Sequence, residues 1–134
     1  MCRKILVVDD NKNNLEVFRR LLSRRGYELF ETQNDLEAHL VATECQPGLI
    51  LMSMKRPTIG RMISLCSLRR NPDTRHVPIV AITGKTLVEE VKDTVGFGFN
   101  DFLPLPFDET KLFEVVDRHF PEGMIITGKD YLEH

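Results

Sequence analysis

The chain has 134 residues, 42% of them hydrophobic and 28% charged, with a formal net charge of -2. This is enough apolar material for one domain with a sizeable core, and it excludes a disordered chain. The charge balance gives no pull toward nucleic acid or an anionic membrane, and no apolar run approaches a bilayer span or a secretory leader.

Cys2, Cys45 and Cys66 are an odd number without metal-ligand spacing, which points to a reducing, cytoplasmic setting. Ile5-Leu6-Val7-Val8 is a β-branched apolar run within a first strand from Arg3 to Val8, and it ends at Asp9-Asp10-Asn11. Leu15, Phe18 and Leu22 then recur at helical spacing, widened by Val17 and Leu21, until Arg24-Arg25-Gly26 stops the helix. Tyr27 to Thr32 reads as a second strand. Asn34 can cap a second helix reaching about Glu44, with Leu36, Leu40 and Val41 expected to face inward.

Pro47-Gly48 breaks the chain before a third strand, Leu49 to Met52, which opens through Ser53 into a loop closed by Pro57. Ile59, Met62, Ile63 and Cys66 mark a third helix ending near Asn71-Pro72. Val77 to Thr83 is a fourth strand. Thr86 can cap a fourth helix carrying Leu87, Val91 and Val95. Phe99 to Leu103 is a fifth strand, Pro104-Leu105-Pro106-Phe107 a rigid turn, and Asp108 can cap a last helix with Leu112, Val115, Val116 and His119. The domain is expected over 1–121. Residues 122–131 read as a tail or the start of a linker, and Leu132-Glu133-His134 as the opening of a histidine tag.

Continuous apolar strands alternating with amphipathic helices imply a parallel sheet covered on both faces. The expectation is an α/β, flavodoxin-like three-layer sandwich with five strands in the order 2-1-3-4-5. The functional crevice of such a sheet lies at the carboxyl ends of strands one and three, where Asp9, Asp10 and Ser53 fall.

Four segments resemble the receiver domain of two-component response regulators (the CheY-like fold). They are Ile5 through Asn11, Pro47 with Leu49-Ile50-Leu51-Met52, Val80-Ala81-Ile82-Thr83, and Asp101-Phe102-Leu103 with Pro106-Phe107. The resemblance runs from about Arg3 to Phe120. Thr83 follows Ser53 by 30 residues (83 − 53), the spacing between the acceptor aspartate and the switch hydroxyl in that family. In typical members a histidine kinase phosphorylates the aspartate, an acidic pair holds Mg²⁺ and a lysine pairs with the phosphoryl oxygens. The fourth helix, fifth strand and fifth helix then change their exposed face.

The resemblance matches Asp9 and Asp10 to the metal-binding pair, Lys55 to the backbone carbonyl that completes the metal site, Thr83 and Phe102 to the switch pair, and Pro106 to a cis proline. Two positions depart: Ser53 stands where the acceptor aspartate is expected, and Leu105 where the lysine is expected. A milder departure is Ile59-Gly60-Arg61 in place of Met-Asp-Gly.

A serine hydroxyl is a weak nucleophile without a base, and Leu105 cannot supply the charge that phosphoryl transfer requires. Two carboxylates without a lysine keep the same local charge as three carboxylates with one. The appetite for a divalent cation therefore survives in part, but one hard oxygen ligand is gone, and Mg²⁺ binding is expected to be weak or vestigial. Lys55 or Lys85 is expected to help neutralise the acidic pair.

Plainer readings stand beside these. The acidic pair can serve the start of the first helix. Ser53 can be a small polar residue filling a strand end, and Thr83 a strand residue without a trigger. Phe97 and Phe99 are repacked core or an aromatic anchor. His39, His76 and His119 fit no ligand spacing, and Gly84-Lys85-Thr86 lacks the upstream glycine of a phosphate loop.

The expectation is therefore a non-enzymatic signalling domain that needs no cofactor and works through protein contacts independently of phosphorylation. Its partners would be a histidine kinase, an output domain or another receiver. A homodimer could form through the fourth helix, fifth strand and fifth helix. The competing reading is a phosphotransfer-competent domain using Ser53 or another carboxylate.

Overall fold

A computed structural model describes residues 3–54, 59–84 and 98–120. Five strands form one parallel sheet in the order β2-β1-β3-β4-β5. They are β1 (Lys4–Val8), β2 (Glu28–Thr32), β3 (Leu49–Ser53), β4 (Ile79–Thr83) and β5 (Asp101–Pro104). The described helices are α1 (Lys12–Ser23), α2 (Asp35–Cys45), α3 (Ile59–Arg70) and α4 (Glu109–Arg118). The helix expected after Thr86, together with Pro57, Phe97 and the tail, lies outside the described residues.

Strand alternation divides the core into two layers. Ile5, Val7, Leu49, Leu51, Val80, Ile82 and Leu103 face α1 and α4, where Leu15, Phe18, Leu22, Leu112, Val115 and Val116 meet them. Leu6, Val8, Ile50, Met52, Ile79 and Ala81 face α2 and α3, where Ala38, Ala42, Leu65 and Leu68 meet them. The central strands β3 and β4 are buried throughout.

Caps set the helix starts. The side chain of Asn11 accepts from the N–H groups of Asn13 and Asn14, Asn34 from Leu36, and Asp108 from Lys111. Gly26, at φ 83°, makes the tight turn into β2. Arg69 holds the far end of the sheet by donating to the carbonyls of Val77 at 2.6 Å and Gly98 at 2.5 Å and to Asn100 Oδ1 at 2.6 Å. Its burial among these neutral acceptors lowers its pKa through desolvation.

The face of α2 differs from the expectation. Leu36 and Leu40 do not face inward: they are 74% and 60% exposed, and Ala38, Ala42 and Cys45 form the buried face of α2. On α3, Ile59 and Ile63 are exposed, while Arg61, Ser64, Leu65 and Leu68 are buried. The inner sheet face already carries Leu6, Val8, Ile50 and Met52, and close packing against such bulk favours small residues on α2.

Candidate functional site

Sheet register assembles the crevice. Val8 pairs with Met52, so Asp9 and Ser53 are neighbours at the ends of β1 and β3. Ser53 pairs with Ile82, which precedes Thr83, and Thr83 pairs with Pro104, which precedes Leu105. Asp9, Ser53, Thr83 and Leu105 thus follow one another across the carboxyl edge of the sheet.

Asp9 is buried and Asp10 exposed. Asp9 Oδ1 accepts the Asn11 N–H at 2.9 Å, and Oδ2 accepts from Asn14 Nδ2 at 3.1 Å. Burial pushes the Asp9 carboxyl above its ordinary value of 3.8 and outweighs those two bonds; Asp10 adds to the rise and the charge of Arg61 opposes it.

Arg61 comes from the first turn of α3 and is only 6% exposed. Its Nε donates to Asp35 Oδ1, at the start of α2, and its Nη1 donates to the backbone carbonyl of Ser53. The N–H of Met54 donates to Ile82 on β4, so alternation turns the Ser53 carbonyl the other way, toward the end of β1. The guanidinium therefore meets the end of β3 on the side that faces β1. Gly60 makes room for the pair, because a Cβ there would lie 3.0 Å from Asp35 Oδ2.

Thr83 is fully buried, and its hydroxyl has no hydrogen-bond partner among the described residues. The Leu105 N–H donates to the Thr83 carbonyl at 2.6 Å, while its side chain packs against the α1–α4 side of the core. The Leu105-Pro106 bond is cis. Phe102 is half-buried against the other core layer, with its ring centroid 6.5 Å from that of Phe99.

Residues 5–117 match the response regulator receiver domain. The chain belongs to that family. Receiver domains are signalling modules that interact with histidine kinases or other signalling proteins, and this receiver domain is similar to several of known name. Over 123 residues it is 28% identical to the polar-differentiation response regulator DivK of Brucella anthropi, covering 92% of this chain and 100% of that protein. The receiver domain of a sensor histidine kinase from Pseudomonas aeruginosa, solved with a magnesium ion coordinated in the active-site cleft, superposes with TM-score 0.77 at 27% identity, over 88% of this chain and 97% of that one. A response regulator from Desulfuromonas acetoxidans gives TM-score 0.78 at 29% identity, over 88% and 96% of the two chains.

Mg²⁺ asks for near-octahedral oxygen ligands. In this receiver domain the described candidates are Asp9, whose two oxygens already accept hydrogen bonds, exposed Asp10, and the neutral hydroxyl of Ser53. No group of three His, Cys, Asp or Glu among the described residues is placed to hold a metal ion. With a guanidinium against the Ser53 carbonyl, this donor set does not fit a tightly held Mg²⁺.

Register brings Asp9, Ser53 and Thr83 to one edge of the sheet, with Asp10 exposed after Asp9, and Phe102 pairs with Ala81 on β4. Lys55 and Lys85 lie outside the described residues. The cation that the described residues bring to the end of β3 is Arg61, which in the sequence stands within the variant triplet Ile59-Gly60-Arg61. A sharper signal was available: a single arginine between Gly60 and Met62 in an apolar helix start, with Asp35 opening the preceding helix.

Proposed function

We propose that this receiver domain signals through protein contacts without phosphoryl transfer at the β3 end. One observation carries the reading: a neutral hydroxyl, Ser53, stands at the position matched to the acceptor carboxylate. Leu105, at the position matched to the lysine, adds to it by packing its side chain on the core rather than offering a charge. The phosphoryl group would meet neither an ionised nucleophile nor that counter-charge.

In this reading the functional unit is 1–121, Asp9 and Asp10 are a vestigial metal pair with weak Mg²⁺ binding at most, and Thr83 and Phe102 are switch positions without a trigger. Pro106 keeps the turn, and the setting is cytoplasmic. The partner is a histidine kinase, an output domain or another receiver, and the helix expected after Thr86, β5 and α4 form the face for a homodimer.

Incubation with a small-molecule phosphodonor and Mg²⁺, followed by intact mass, tests the reading. No covalent gain is expected. A stoichiometric gain of one phosphoryl group, mapped to Ser53 or to a carboxylate, would overturn it in favour of a transfer-competent domain.

A further inference from the structure

The acidic pair of a crevice built this way needs a counter-charge, and the chain supplies one covalently. We infer that Arg61 is the resident cation of the crevice, standing in for a metal ion and keeping Mg²⁺ out. The inference rests on the reading that phosphoryl transfer is not the work of this site, and it names what holds the site instead.

Three observations converge on it. The side chain of Arg61 is 8% exposed although it is charged, so its position is specified by partners rather than by solvent. Asp35 and the Ser53 carbonyl are among those partners, and the carbonyl is turned toward the end of β1. That end of β1 carries Asp9, the buried member of the acidic pair, beside Ser53.

A guanidinium is always charged and offers a planar fork, so it can bond a carbonyl and a carboxylate together. A divalent cation approaching the buried carboxylate of Asp9 would meet a fixed like charge at the neighbouring strand end. It would also find the Ser53 end of the crevice already engaged. Among the described residues no cation other than Arg61 is bonded at the end of β3. Asp10 is open to solvent, and the carboxylate of Asp35 already pairs with Arg61.

The consequence is a receiver with one state at this site rather than a metal-dependent pair of states. Arg61 ties the end of β3 to the start of α2 whether or not Mg²⁺ is present. A lysine swinging in from a loop would give a charge without the fork.

Magnesium titration of the wild-type domain, Arg61→Gln and Arg61→Lys, followed through the Asp9 and Asp10 amide resonances, tests this. Gln removes the charge and Lys keeps it, while both lose the fork. Arg61→Gln should bind Mg²⁺ about tenfold or more tighter than wild type, the scale on which groups around a metal site tune its affinity. Arg61→Lys should stay close to wild type. Equal affinities for Gln and wild type, or an equal gain in Gln and Lys, would overturn the inference.

If neither variant folds, the wild-type domain decides alone. A melting temperature unmoved by millimolar Mg²⁺ is the expected result, and a clear rise sinks the inference. Intact mass after phosphodonor treatment of the same samples reads the proposed function separately. A wild-type domain that binds Mg²⁺ tightly yet takes no phosphoryl group would remove the resident cation and leave the proposed function standing.

Discussion

Asp35, in the first turn of α2, accepts a hydrogen bond from the Nε of Arg61, in the first turn of α3, and the same guanidinium reaches on to the carbonyl of Ser53. Two helix starts and one strand end thus share a single cation. Removing Asp35 would take a carboxylate partner from a buried cation. The Asp35 side chain is 23% exposed, so the cost falls below that of a fully enclosed pair: Asp35→Ala should lose about 2 kcal/mol. Arg24→Ala breaks an open pair with Glu109, whose side chains are 60% and 44% exposed, and should lose less than about 0.5 kcal/mol. Urea midpoints for the two variants give the comparison, and equal losses would count against a buried tie.

Asp9 makes stability depend on pH with a defined sign. Its folded-state carboxyl lies above the ordinary value of 3.8, chiefly because it is buried. The native state therefore binds the proton more strongly than the unfolded chain does. The stability tied to the protonated form is fully present below the unfolded value and is lost as pH rises through the folded one. Asp9→Asn removes the charge and keeps an acceptor for the Asn11 N–H. It should be more stable than wild type at neutral pH, with the difference shrinking as pH falls toward 4. Denaturation midpoints across that range check it; a difference that widens toward acid would reverse the assignment.

Thr83 keeps a hydroxyl in the core without a partner among the described residues. An unsatisfied buried polar group costs about 1–3 kcal/mol, and valine has nearly the same shape without it. Thr83→Val should therefore stabilise the domain by about 1 kcal/mol, allowing for relaxation around the hydroxyl. If it destabilises instead, the hydroxyl has a partner that matters. Thermal denaturation of the two proteins distinguishes the outcomes.

The strands and their order were legible because β1, β3 and β4 are continuous apolar runs that only a doubly covered sheet can bury. Asn34 and Asp108 were readable as caps because a short polar side chain before an apolar periodic run satisfies the exposed N–H groups of the first turn. Register then placed Asp9, Ser53 and Thr83 together, with no information beyond strand ends. The counter-charge was harder to see. Arg61 is close to Asp35 only because two helices from different crossovers lie side by side, and a linear sequence does not display that approach. The inward face of α2 was hidden for a related reason. Ala38-Ala42 and Leu36-Leu40 both have helical spacing, and hydrophobicity favours the leucines. Space decides for the alanines, because the sheet beneath is already bulky.

That choice of face can be measured. Leu40 is 60% exposed, so Leu40→Ser should change stability by less than about 0.5 kcal/mol, as surface substitutions away from special features do. Leu65 is fully buried against the sheet, and Leu65→Ala should cost about 2–5 kcal/mol through lost transfer energy and the cavity left behind. Ala42→Leu probes the same face from the other direction. Ala42 has no exposed surface, so three added carbons must displace the sheet or α3, at a cost of about 1–3 kcal/mol. Had the leucines faced inward, Leu40→Ser would be the damaging change and Ala42→Leu the harmless one. Urea denaturation of the three variants at constant m-value separates the two arrangements.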